Sequence, residues 1–598
     1  MRRKSHVPLE ERKKLVEELF GIITDKVKDY VLKHDSVRVV QTAIKYANLE
    51  QKRLIARELQ GTYRQLAESR YAKFLIGKLL VQGDDEIRDI IVPEFFGNVR
   101  RLIKHPEASW ILDDVYRGVA TEHQKATILR EWYGAEFALF QKDKKEKISG
   151  DLTDVLADDA GKRAPIMRSL QELINHLIQK KTTAFTLLHD AMLQYFLNCK
   201  PGTEEITEFI ELLKGDEEGD LLKNLAFTKS GARVVCLALA YGTAKDRKHI
   251  LKTYKDTLQM MAADQNAHTI ILTAYEVIDD TVLTSKSIFP ELLSKDPEKQ
   301  VENVVLSATE LIARTTLLYL FQGRSSSLFP PSLSSDLAIL SEIDTIRTNT
   351  SKKDPQTRRQ ELAKALSPYL FTAIASAAPD FVTTSFGCQF VTEVLFGADG
   401  DKSSTLKAIA STAAGDPTLS TPELPDPKTK DEDKINTPHA TPLQPHIAQT
   451  SYGGKMLKAL ISGGRYDPNA KKITPVSPPL NFADLLYPVI KPHILAWATG
   501  SSSFVVLSLL ETESFSKSSR IELLGLLRGH RKKLEKAATE ETAEQRAVRE
   551  EKGSKEEEEK PAKGKGRGKG KGKAKKPSER PVGNLGTKMI LKVLDAEK

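Results

Sequence analysis

Eight cations recur at similar places along the 598-residue chain: Arg38, Lys73, Arg233, Arg314, Lys455, Lys458, Lys588 and Lys592. Each stands near the start of an apolar helical pattern, on positions that this register turns toward one concave side. Lys45 and Lys78 follow one to two turns after Arg38 and Lys73. Cations aligned in this way neutralise phosphates, a contact that carries no sequence information and weakens as salt rises. Phe74, Trp110 and Phe504 occupy the position that Arg38 holds in its own segment. An aromatic ring there can take the face of a base, worth about 1–3 kcal/mol; the same spacing also suits a core ring. Gln41, the polar residue that closes the first of these segments, completes the candidate set. The chemistry is that of a nucleic-acid surface.

Catalytic chemistry is not assembled. The twelve histidines form no HExxH, and Cys199, Cys236 and Cys388 form no CxxC and sit beside no histidine at ligand spacing. No metal site is expected, and His105, His189 and His268 read as structural, hydrogen-bonding residues near turns. Gly453/Gly454 and Gly463/Gly464 lack the GxxxxGK[ST] context of a phosphate loop. Nothing groups a nucleophile, a base and an orienting residue, so we expect no enzyme, no cofactor and no small-molecule substrate. Three scattered cysteines also argue against a disulfide framework and for a reducing, intracellular setting. No run of about 18 apolar residues would span a membrane, and the N-terminus lacks the apolar core of a secretory signal.

These residues are positioned by a repeat. HDSVRVVQTAIKYA from His34, SRYAKFLIGKLL from Ser69 and HPEASWILDDVY from His105 share one order of small, exposed and apolar residues, and Arg38, Phe74 and Trp110 follow at steps of 36. A fixed period in this range marks a solenoid, whose helical units bury their apolar faces only by stacking on neighbours. The length agrees, since a single core stops growing at roughly 250–300 residues. Further copies place Thr186, Arg233, Thr269, Thr315, Gln389, Lys455, Phe504 and Lys588 in the same slot. Leu15 to Leu32 reads as a helix that caps the array or completes the first repeat. The 76 residues between Trp110 and Thr186 leave room for a degenerate or inserted unit in the charged, helix-rich stretch from Asp143 to Lys180, read as a charged helical insertion among the middle repeats.

The expected fold is an all-α superhelical solenoid of about ten or eleven repeats, bent or L-shaped where insertions break the stacking. Residues 1–142 and 143–322 hold the N-terminal and middle repeats, 323–357 a Ser/Pro-rich loop with little packing, and 358–545 the C-terminal repeats. Residues 415–446 read as a disordered Pro-rich insertion, 546–581 as a disordered acidic and GK-rich one, and 582–598 as the last repeat helix. Lys560 to Lys576 carries eight lysines and one arginine without an acid, which equals the whole formal net charge of +9. Alternating glycine and lysine cannot bury a core. Lys563, Lys565, Arg567, Lys569, Lys571 and Lys573 are therefore read as a basic arm for RNA, suited also to nuclear import.

The order of small residue, exposed pair, two apolars and exposed residue resembles the Pumilio (PUF) repeat. HDSVRVVQTAIKYA, ESRYAKFLIGKLL, ARTTLLYLF and NLGTKMILKVL are similar to its divergent Puf-A branch, whose members have about eleven repeats and a C-terminal CPL region. In PUF repeats two edge side chains and one stacking side chain read one base. The edge pairs here, among them Val37/Gln41, Lys73/Gly77, Ser109/Asp113, Ala232/Cys236, His268/Leu272, Arg314/Leu318 and Thr587/Leu591, match no base code. Gly, Leu and Ala cannot hydrogen-bond a base edge. Binding of structured or double-stranded RNA, and of DNA, through backbone and shape is the expectation. The Puf-A resemblance implies a nuclear, largely nucleolar protein that assembles the large ribosomal subunit on pre-ribosomal RNA beside pre-60S proteins, with translational repression of mRNA as a second role, monomeric outside the particle. The rivals are an armadillo-like protein-binding scaffold, whose asparagine ladder is missing here, and a sequence-specific PUF mRNA regulator.

Overall fold

The 36-residue period becomes, among the described residues, eleven recurring helices. These are α1 (His34–Tyr46), α2 (Lys73–Gln82), α3 (Ala108–Gly118), α4 (Thr186–Leu197), α5 (Lys229–Tyr241), α6 (His268–Val277), α7 (Ala313–Gln322), α8 (Ser385–Gly397), α9 (Ser451–Ser462), α10 (Ser503–Glu511) and α11 (Leu585–Ala596). The computed structural model describes residues 8–134, 136–139, 148–158, 160–418, 421–422, 443–467, 472–540 and 583–597. Two compact units emerge, Met1–Asp279 with Ser335–Lys352, and Asp280–Ser334 with Lys353–Lys598. In the first unit α1 to α6 pack in succession, each on the next; in the second, α7 to α11 do the same. This ladder is what a solenoid requires, because no single unit could bury its apolar face.

In α1 the buried residues Val37, Val40, Ala43 and Ile44 recur at helical spacing, while α5 buries every residue from Val234 to Ala240. Between units of the first three repeats a glutamate recurs. The Glu58 carboxylate accepts from the Asp25 and Val27 amides (3.0 and 2.6 Å). Glu94 accepts from Gly61 and Tyr63 (2.5 and 2.9 Å), and Glu131 from Gly97 and Val99 (2.6 and 3.0 Å). Each carboxylate thus satisfies two otherwise orphaned amides at the turn leading into the preceding repeat's first helix. A second recurring device caps the ladder helices: the Thr228, Thr384 and Thr450 hydroxyls accept from the amides of Gly231, Gly387 and Gly453. Glycine is required at Gly387 because a Cβ there would run into the Phe381 carbonyl.

Three expectations need correction. Leu15 to Leu32 is two helices, Leu9–Ile23 and Val27–Val31, broken at Asp25, which takes a positive φ of 66°. The 76-residue interval adds no rung to the ladder: α3 packs directly on α4, where the Asp113 carboxylate accepts from the Leu187 amide at 3.0 Å and Tyr116 bonds Asp190. The charged stretch instead folds beside them, largely as the Arg163–Gln179 helix, which buries Ile166, Leu170, Leu173 and Leu177. The stretch read as a loop at 323–357 contains a 17-residue helix, Ser334–Thr350, whose Leu340, Ile343 and Ile346 are buried. The fold is all-α as expected, and its few strand residues among the described ones form two short pairs. Gly464–Asp467 and Lys472–Pro475 pair as an antiparallel hairpin, and the ends of the Pro-rich insertion meet as a short pair, Thr421–Pro422 with Leu443–Gln444. The rest of that insertion and the GK-rich tract lie outside the described residues.

The three histidines read as structural are so. His105 Nδ1 accepts from the Glu107 and Ala108 amides at the start of α3, and His268 meets Asp336 (3.0 Å) out of contact with solvent. On α4, His189 links Thr183 O and the Thr228 hydroxyl, both at 2.8 Å, tying that helix to the cap of α5.

Candidate nucleic-acid interface

On α1, Arg38, Gln41 and Lys45 fall at i, i+3 and i+7 and so share one face. Arg38 and Lys45 are exposed; the Lys45 ammonium lies 5.4 Å from the Tyr46 ring centroid. Gln41 is half-buried and serves the stacking of repeats: its Nε2 donates to Tyr71 O (3.0 Å), and Lys78 of α2 reaches its carbonyl oxygens at 3.5 Å. On α2, Phe74 is 55% exposed. Lys73, one residue earlier, pairs with Glu107 at 2.6 Å and lies 5.2 Å from the Phe74 ring. That ammonium holds the Glu107 carboxyl below its ordinary range. On α3, Trp110 is 52% exposed and stands edge-on to the buried Phe185, 5.0 Å between centroids.

Three further residues extend this face that the sequence reading passed over. Tyr71 is exposed in the turn before α2, with His34 edge-on at 4.4 Å and the Arg70 guanidinium 5.8 Å from its ring. Their signal was available, since Tyr71 precedes Phe74 by one helical turn. The first three repeats therefore present the exposed cations Arg38, Lys45 and Arg70 beside the exposed rings of Tyr71, Phe74 and Trp110, while Lys78 is half-buried against Gln41.

The expected cations of the middle repeats do not join them. Arg233 of α5 is half-buried, its Nε and Nη2 donating to both oxygens of Glu342 (2.8 and 2.9 Å). Arg314 of α7, expected on the open face, is only 2% exposed. Its Nη1 donates to Gln389 Oε1 (2.8 Å) and its guanidinium sits 4.0 Å over the Phe386 ring; burial lowers its pKa. The physical reason is register: the first edge position of the repeat points into the stack. Val37, Ser109, Phe185, Ala232, His268, Cys388, Ser503 and Thr587 occupy it in eight other repeats and are buried, while Lys73 and Gly454 there are half-buried. In the third repeat the second edge residue, Asp113, is buried too, and burial pushes its carboxyl up to about 6 against the pull of the Leu187 amide.

The second unit carries a smaller group of its own. Lys455 and Lys458 of α9 are exposed, with the Lys458 ammonium 5.3 Å from the ring of the half-buried Phe504 on α10. On α11 Lys592 is exposed and Lys588 half-buried. Lys563, Lys565, Arg567, Lys569, Lys571 and Lys573 lie outside the described residues. Among the described residues no cluster of three or more His, Cys, Asp or Glu is placed to hold a metal ion.

Residues 309–472 match the family model described as the CPL (NUC119) domain. The chain is 31% identical over 537 residues to Pumilio homology domain family member 6 of Schizosaccharomyces pombe, covering 90% of this chain and 76% of that protein. It is 30% identical to the protein of the same name from Saccharomyces cerevisiae, covering 85% of this chain and 73% of the other. The crystal structure of human Puf-A superposes with a TM-score of 0.71 at 28% identity, over 89% of this chain and 95% of that one. Human Puf-A in complex with DNA matches equally well, with a TM-score of 0.71 at 27% identity.

Proposed function

Because the chain belongs to the Puf-A family of Pumilio-homology proteins, we propose that it grips structured or double-stranded nucleic acid by its phosphates, without reading sequence. The observation that carries this is the burial of most of the edge positions, beside the exposed cations Arg38, Lys45 and Arg70. A base edge needs donors and acceptors that reach it; a side chain packed inside the stack reaches nothing. Phosphates need only accessible cations, and Arg38 and Lys45 with Arg70 supply them. Lys455, Lys458 and Lys592 form the second unit's contribution, and the GK-rich tract adds a basic arm. Phe74 and Trp110, with Tyr71, offer ring faces to any unpaired base that the grip meets. The human relative solved with DNA supports nucleic acid as the ligand class.

The biological reading that follows is an assembly factor, not an enzyme: a nucleolar protein that holds pre-ribosomal RNA during construction of the large ribosomal subunit. Such a role needs tolerance of many RNA sequences, which a backbone grip provides. Sedimentation of tagged protein from cell extracts tests it. We expect co-migration with precursors of the large subunit, lost on nuclease treatment; migration only with messenger ribonucleoprotein would instead favour a translational role.

A further inference from the structure

The Ser334–Thr350 helix lies along α5 and α6 on the face where α1 to α3 carry Arg38, Phe74 and Trp110. Asp336 meets His268 at the start of α6, Glu342 takes Arg233 of α5, and Arg347 pairs with Glu276 near the end of α6. At its end, Thr350 Oγ1 donates to Ala240 O (2.6 Å) and Ser351 Oγ to Val277 O (2.8 Å), the final turns of α5 and α6. The helix therefore runs parallel to both ladder helices. Beneath it Thr269 and Thr273 of α6 are buried. Thr269 stands in the slot that Arg38 fills in the first repeat.

To Arg233 of α5 and His268 of α6 this helix offers carboxylates. From Ser334 to Thr350 it carries Asp336, Glu342 and Asp344 against one cation, Arg347. Glu342 engages Arg233 in a two-pronged fork, the geometry in which a guanidinium also takes a phosphate. Arg233 is thereby withdrawn from the row of cations that the first repeats leave open. We propose that the Ser334–Thr350 helix is a built-in competitor of nucleic acid: it occupies the ladder face of the fifth and sixth repeats and, within the first unit, confines the grip to the repeats before them. Ligand that extends along the ladder must displace Glu342 to reach Arg233. This rests on the ladder face being the nucleic-acid surface.

The test is a double-mutant cycle on the full chain, read as anisotropy of a fluorescein-labelled RNA duplex at several salt concentrations. Glu342→Gln keeps the shape of the side chain and removes its charge. Freeing Arg233 for one phosphate steepens the salt slope by about 0.9, so between about 50 and 200 mM salt the variant loses about 3.5-fold more affinity than wild type. It also binds more tightly at low salt, and Arg233→Ala costs more affinity in the Glu342→Gln background than in wild type. Equal affinity and slope for wild type and Glu342→Gln, or the same loss from Arg233→Ala in both backgrounds, overturns the competitor. Arg38→Glu with Lys45→Glu is run beside them. If that pair leaves binding intact, the ladder face itself is the wrong surface and the functional reading fails. If that pair weakens binding while the cycle is flat, the competitor alone fails. Circular dichroism melts confirm that each variant is folded.

Discussion

Arg38→Glu combined with Lys45→Glu lowers the affinity for duplex RNA or DNA by about a hundredfold and flattens the salt slope by about 1.8. The slope follows from counting: two cations removed from two phosphates release two fewer counterion equivalents, each worth about 0.9. For the affinity, a unit charge at contact distance in water contributes about 1 kcal/mol, and reversal adds repulsion of similar size. Two reversals therefore sum to about 4 kcal/mol before screening and about 2–3 kcal/mol at physiological salt. Arg38 and Lys45 are chosen because both are exposed on one face of α1. Lys73 is a weaker probe, since Glu107 already holds its ammonium at 2.6 Å. Fluorescence anisotropy across a salt series measures both quantities together. A loss that is the same at every salt concentration would mean the two residues act through folding and not through phosphates.

His189 makes the first unit sensitive to acid, by about 3 kcal/mol. Its ring is wholly buried on α4, and burial pulls its pKa down from 6.5 to about 4. Thr183 O can only accept, so Nε2 carries the proton and Nδ1 accepts from the Thr228 hydroxyl. In the unfolded chain the same ring takes a proton near 6.5. Between those two values the unfolded state binds the extra proton, so stability is complete above pH 6.5 and is lost as pH falls toward 4. His189→Gln keeps an amide donor for Thr183 O and cannot titrate. Urea denaturation followed by circular dichroism, from pH 7.5 to 4, should show the wild-type curve falling by about 3 kcal/mol more than the variant's. Parallel curves would mean that the ring is protonated in the folded protein.

The ladder was legible because its signal is periodic. Arg38, Phe74 and Trp110 lie 36 residues apart, and a period survives even where individual residues are replaced. Two recurring devices were equally written in the sequence and went unread: Thr-x-x-Gly at the starts of α5, α8 and α9, and the glutamates at 58, 94 and 131. The exposure of Arg38, Lys45, Phe74 and Trp110 followed from the same periodicity. Arg314 did not, because a one-position difference in register separates a solvent-facing cation from one packed under Phe386. The Ser334–Thr350 helix was hidden for another reason. Its partners Arg233, His268 and Glu276 stand 68 to 109 residues earlier in the chain, and the Ser/Pro-rich run before it reads locally as a loop. Long-range pairing of that kind leaves no local pattern.

The central claim is that this chain holds nucleic acid by its backbone. The direct measurement is competition binding of structured RNA, duplex DNA and single strands bearing UGUA against one labelled duplex, repeated over a salt series. The account predicts similar affinities for unrelated structured ligands, a steep salt slope and no advantage for UGUA. A strong, salt-insensitive preference for the UGUA strand would contradict it, because the buried edge positions would then have to read bases.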